Sequence, residues 1–95
     1  MNLQFVYERE YDVVVCGIGS AGFTAAVACA RHGLRTAAVE AFHMPGGVLT
    51  MLGNACIHQF NNPYREPGDR MIIRGIGWEY VQRLAQKGDA QVADQ

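Results

Sequence analysis

No sign of charge dominates this chain: 8 Lys and Arg stand against 9 Asp and Glu, a formal net charge of −1. That balance argues against a polybasic nucleic-acid binder and against an acidic tail, because both work through a large one-sided field. Cysteine is scarce, with only Cys16, Cys29 and Cys56 and no CxxC pair. An odd, scattered set disfavours a disulfide scaffold or a zinc knuckle, and the expectation is reduced, buried thiols in an intracellular protein. The opening MNLQFVYEREYD has no basic n-region and no long apolar stretch, so a secretory signal is not expected. The apolar run Val13–Cys16 is far too short to span a bilayer. These absences predict a soluble cytoplasmic protein with neither nucleic acid nor membrane as a partner.

What is present is a globular balance, 49% apolar and 18% charged residues in a chain of 95. That length makes one domain at most and buries only ~60–70% of its unfolded surface. It holds one βαβ-sized core, not a core plus a substrate domain.

The order of elements is legible. Residues Met1–Glu10 read as an arm or edge strand. Tyr11–Cys16 (YDVVVC) is β-branched and apolar on both faces, the pattern of a strand buried in a parallel sheet. Ala21–His32 is Ala-rich and free of Pro, which predicts a helix. Gly22, Ala26 and Cys29 give it one face of small groups, and Gly33 suits its C-terminal cap. Leu34–Val39 reads as a second strand ending at Glu40, and this span has the length of a βαβ unit. Ala41–Tyr64, rich in Gly and Asn, reads as a long loop, of the kind that is usually functional. Pro67, Gly68 and Asp69 mark a turn. Gly77–Gln86 then has helical spacing of its apolar residues, closed by Gly88, before a polar tail.

The informative constellation is Gly17-Ile18-Gly19-Ser20-Ala21-Gly22, directly after the first strand and opening the helix. In a dinucleotide site Gly17 makes the sharp turn, Gly19 admits a pyrophosphate to the backbone, and Gly22 lets helix and strand pack closely. The first helical turn then holds phosphate charge with its N–H groups and dipole. Glu40, 23 residues after Gly17, is placed to accept hydrogen bonds from ribose hydroxyls and would repel a 2′-phosphate, disfavouring NADP. A bare GxGxxG also occurs in ordinary turns, but here strand, glycines, small-faced helix, second strand and Glu arrive in order. Gly46 and Gly47 offer a second backbone approach that a flavin dinucleotide uses more than NAD does, although Pro45-Gly46-Gly47 also fits a plain tight turn. A methyltransferase places a glycine loop and an acidic residue similarly; the GxGxxG spacing and Gly46-Gly47 argue against it.

The stretch YDVVVCGIGSAGFTAAVACARHGLRTAAVE, followed by HMPGGVLTMLGN and later IIRGIGWEYVQRLAQKGDA, resembles the FAD-dependent oxidoreductase family of glutathione-reductase-like flavoproteins over residues 11–90. The resemblance implies an α/β, Rossmann-like FAD/NAD(P)-binding fold, here only its N-terminal part, with FAD as cofactor. It implies that Gly17, Gly19, Ser20, Ala21 and Gly22 contact the FAD pyrophosphate, that Glu40 with Ala41 beside it binds the adenosine ribose, and that Gly46, Gly47 and, more weakly, Thr50 line the pyrophosphate and ribityl path. Ser20 stands where many members have Pro. Family members run to several hundred residues, so the expectation is a truncated chain: residues 1–10 an arm or edge strand, 11–90 a partial FAD-binding domain, 91–95 a frayed tail. An unfinished sheet is expected to seek a partner chain or oligomer. The other reading is a non-catalytic nucleotide-binding subunit or fragment.

Other residues have plainer readings. His43 and Cys56 invite a covalent flavin link, but neither lies in an attachment motif. Cys16 and Cys29 read as packing thiols, and His32 as a surface group compatible with a helix end. His58, Asn61 and Asn62 suit a polar loop as well as a substrate site. Glu79 and Arg83 read as a solvated i,i+4 pair, and Trp78 and Tyr80 as partial core. No acid/base dyad, nucleophile or metal cluster stands out.

Overall fold

The computed structural model describes residues 3–4, 8–54, 56–57 and 60–92. Their elements run β1 (Val13–Cys16), α1 (Ser20–Arg31), β2 (Thr36–Val39), α2 (Val48–Met51) and α3 (Ile76–Gln86). The chain divides into two units, Met1–Leu52 and Gly53–Gln95.

The first unit is the βαβ arrangement that the sequence predicts. β1 and β2 pair in parallel, with Val13 opposite Thr36, Val14 opposite Ala37, Val15 opposite Ala38 and Cys16 opposite Val39. A parallel pair needs a crossover, and α1 supplies it, packing on both strands. The helix ends as its composition requires. Gly33, at φ +80°, takes the left-handed conformation that a side chain resists. The Gly33 and Leu34 N–H groups then donate back to the Ala30 and Cys29 carbonyls. This commits Leu34 to the helix cap, so β2 begins at Thr36 rather than at Leu34. Entry into the sheet is fixed by Asp12: its N–H donates to the Arg35 carbonyl at 2.9 Å, and its Oδ2 accepts the Arg35 N–H at 2.7 Å. Residues 3–4 and 8–11 belong to no helix or strand.

Burial on both faces of β1, expected from its apolar run, is not what the structure shows. Val13 and Val15 are half-buried while Val14 is 53% exposed and Cys16 is exposed. One helix on a two-stranded sheet covers one face only. For the same reason the expectation of buried thiols is corrected: all three cysteines are free, Cys16 and Cys56 exposed and Cys29 half-buried.

The stretch read as a loop from Ala41 to Tyr64 contains a turn of helix, α2, which the glycine-rich composition hid. In the second unit, Asn61 and Met71 form an antiparallel bridge. The Asn62 N–H donates to the Arg70 carbonyl at 2.7 Å and the Ile72 N–H to the Phe60 carbonyl at 2.9 Å. They close the turn at Pro67, Gly68 and Asp69. Next comes α3, which carries Glu79 and Arg83 joined by an Nε–Oε1 hydrogen bond of 3.0 Å, the predicted pair. Trp78 sets its ring against Phe60 with centroids 5.8 Å apart and a 47° tilt, a packed aromatic pair. At the C-terminus of α3 the Gly88 and Asp89 N–H groups return to the Ala85 and Leu84 carbonyls, the same closure as in α1. Among the described residues no helix is long and apolar enough to cross a membrane.

Candidate functional site

Every residue singled out for nucleotide contact lies in the first unit, at the carboxyl ends of β1 and β2. Backbone geometry brings them there. The Gly17 N–H donates to the Val39 carbonyl at 2.7 Å, which extends the sheet by one residue and holds the start of the loop beside the end of β2. Gly17 itself turns at φ +88°, a conformation that L-residues avoid.

Close packing explains Gly22. A Cβ built there would stand 1.8 Å from the Gly17 carbonyl oxygen and 3.4 Å from a Val15 methyl group. The helix therefore rests directly on the strand and its turn, as predicted for the third glycine of the motif.

Gly19 is different. Its φ of −74° suits any residue, and a Cβ built on it meets nothing within 4 Å. Neither conformation nor internal packing requires glycine there; the side from which a Cβ would project is open. Beside it α1 begins with no side-chain cap and no acidic residue in its first turn. The N–H groups of Ser20, Ala21 and Gly22 are the ones a helix leaves unbonded at its start, and they carry the positive end of its dipole. An uncapped helix start with an open approach has the chemistry to accept an anion such as a diphosphate.

Glu40 completes the arrangement. Its Oε2 accepts the Ile18 N–H at 2.5 Å and its Oε1 accepts the Phe42 N–H at 3.3 Å. These backbone donors, the Ile18 N–H first and the Phe42 N–H next, hold the carboxyl below its ordinary value of 4.5. Burial opposes them and the Ala41 N–H adds to them. The carboxylate thus stays charged beside the glycine loop. Each of its oxygens has further lone pairs for a hydroxyl donor.

The second glycine pair joins the same loop. The Gly46 N–H donates to the Ile18 carbonyl at 2.7 Å, and a Cβ on Gly47 would stand 2.9 Å from the Gly19 Cα. A Cβ on Gly46 would strike the Thr50 side chain. Thr50 donates from Oγ1 to the Pro45 carbonyl at 2.8 Å, tying α2 to the turn before it. The structure therefore brings together Gly17, Gly19, Ser20, Ala21, Gly22, Glu40, Gly46 and Gly47, with Ala41 exposed beside Glu40 and Thr50 behind the turn. Sequence reasoning missed Ile18 and Phe42. Both take part through backbone N–H groups, which leave no mark in residue type; the one available signal was an apolar residue inside a glycine loop.

His43 is exposed. Asn61 and Asn62 lie in the second unit, and His58 lies outside the described residues. Among the described residues no group of three His, Cys, Asp or Glu side chains is arranged to hold a metal ion.

Comparison with known proteins places the chain in a family. Residues 12–95 match the family described as FAD dependent oxidoreductase. A soluble pyridine nucleotide transhydrogenase of Marinomonas sp. (strain MWYL1) is 51% identical over 45 residues, 47% of this chain and 10% of that protein. The protein of the same name from Hahella chejuensis (strain KCTC 2396) is 48% identical over 46 residues, 48% of this chain and 10% of that protein. A dihydrolipoyl dehydrogenase of Bacillus subtilis (strain 168) is 42% identical over 50 residues, 53% of this chain and 9% of that protein. The aligned stretches thus cover about a tenth of the length of these relatives. No solved structure matches. The chain belongs to the FAD-dependent oxidoreductase family, and its βαβ unit is part of the Rossmann-like FAD-binding fold of that family.

Proposed function

We propose that the Gly17–Gly22 loop and Glu40 hold the ADP half of FAD. The N–H groups of Ser20, Ala21 and Gly22 bind the diphosphate at the open side of Gly19, with Gly17 shaping the turn. The Glu40 carboxylate, with Ala41 beside it, accepts the ribose hydroxyls. Gly46 and Gly47 line the diphosphate and ribityl path where they abut the loop, and Thr50 secures their turn. When bound, FAD supplies hydride or electron transfer; this chain's residues bind and orient it. We assign no catalytic side chain.

Gly19 carries this reading. It is the one glycine of the motif that the protein's own conformation and packing leave unexplained, and a ligand approaching its open side would account for it. Two differently named activities each match about half of this chain, which suits a segment that binds what they hold in common rather than either substrate. Electron transfer to a substrate therefore belongs, in this proposal, to a longer protein or complex, in the cytoplasm, with further chain or a partner pairing with the open sheet. The alternative remains a nucleotide-binding piece without catalysis of its own.

The test is a titration of FAD and ADP into wild-type protein and a Gly19→Val variant, followed by quenching of flavin fluorescence and by calorimetry. Saturable binding by wild type, lost in the variant while its fold persists by circular dichroism, is the expected result. Equal binding by the two proteins, or none by wild type, would refute the assignment.

A further inference from the structure

Ile18 is an apolar residue between two glycines of the motif, and three constraints meet there. Its N–H donates to the Glu40 carboxylate, and its carbonyl accepts the Gly46 N–H at 2.7 Å. Its side chain is 6% exposed, the most buried hydrophobic group described in the first unit. Immediately before it the Gly17 N–H is fixed on the Val39 carbonyl; immediately after it Gly47 comes so near that a Cβ on it would stand 2.9 Å from the Gly19 Cα. All of these contacts are made by the chain itself.

We propose that Ile18 is a positioning residue for the diphosphate loop: it pins the loop from both backbone ends and through its side chain, so that the N–H groups of residues 19–22 converge before any nucleotide arrives. The inference rests on the nucleotide reading above and adds to it a residue that touches no ligand. Pinning moves the entropy of ordering the loop from the binding step to the folding step, and tighter binding follows from that alone. It also links the sugar-binding carboxylate to the second glycine turn through a single residue.

A plain core residue would act differently. Its loss lowers the folded fraction and weakens every ligand by the same factor. Loss of a positioning residue scatters the loop N–H groups while Glu40, still held at the end of β2 by the Phe42 N–H, keeps its sugar contact. The ratio between a ligand with a diphosphate and one without it separates the two.

The experiment uses the 95-residue chain as wild type, Ile18→Val and Ile18→Ala, titrated with ADP and with adenosine. Amide hydrogen exchange is followed in the ligand-free proteins. Ile18→Ala is expected to weaken ADP by about tenfold, the scale of one lost hydrogen bond to a charged group. Adenosine should change by no more than roughly twofold, and Ile18→Val should restore ADP binding, since a β-branched group of nearly the same volume refills the site. In wild type the Ile18 and Gly46 amides should exchange far more slowly than that of the exposed His43. Equal weakening of ADP and adenosine, or fast exchange of both amides with ADP binding intact, overturns the positioning role alone. Wild-type protein that binds neither ADP nor FAD overturns the nucleotide reading and the positioning role together.

Discussion

Replacing Gly22 with Ala sets two effects of opposite sign against each other. In a helix interior the substitution favours folding by about 0.8–1.0 kcal/mol, because Ala loses less backbone entropy than Gly. Here the new methyl group would stand 1.8 Å from the Gly17 carbonyl oxygen and 2.9 Å from its carbonyl carbon. A carbon resting against a carbonyl oxygen needs about 3.3–3.6 Å, so the start of α1 must retreat by roughly 1.5 Å. The obstacle is backbone tied to β2 by the Gly17 N–H, not a side chain that can rotate away. Overpacking against an unyielding neighbour costs about 1–3 kcal/mol or more, which exceeds the propensity gain. We expect a net loss of about 1–2 kcal/mol in urea unfolding. Affinity for ADP should fall by more than the stability loss explains, because the retreat also moves the Ser20 and Ala21 N–H groups. A Gly22→Ala protein as stable as wild type, or more so, would refute the direct seating of α1 on the β1 turn.

Glu40→Gln removes a carboxylate whose pKa is lowered in the folded protein, first by the Ile18 N–H and then by the Phe42 N–H. A depressed pKa stabilises the fold above the unfolded value, and that contribution disappears as pH falls through the folded value. The stability gap between wild type and Glu40→Gln should therefore be full at pH 7 and close below about pH 4.5, measured by urea unfolding across that range; a gap independent of pH would contradict it. At the edge of the sheet, Asp12→Ala should cost about 0.5–1.5 kcal/mol by orphaning the Arg35 N–H, while Arg35→Ala, which loses only an exposed ion pair, should cost less than about 0.5 kcal/mol. The reverse order in thermal denaturation would show that the ion pair matters more. In the second unit, Phe60→Leu should shift the emission of Trp78, the sole tryptophan, and cost about 1 kcal/mol from the lost ring pair. Unchanged fluorescence would place the ring pair outside the solution fold.

Much of the βαβ unit was legible because its signals are local. β-Branched residues before Gly17, alanines after it and Gly33 at the helix end each dictate their own segment. Glu40 was legible as the residue ending the second strand. Burial was not, because whether Val14 and Cys16 are covered depends on what packs over the sheet, and the apolar run reads the same in either case. α2 was hidden because Gly46 and Gly47 announce a loop more loudly than four residues, VLTM, announce a helix. The part played by Ile18 was hidden for another reason. Its hydrogen bonds come from the backbone, and only the approach of Gly46 and Gly47 to the first loop reveals why this position is held.

The most direct test of the account is to follow the backbone amide resonances of the chain while ADP is added. The account predicts saturable shifts concentrated at Gly19, Ser20, Ala21 and Gly22, with those of α3 unmoved. Saturable shifts elsewhere with these four still, or no shift at all, would contradict it.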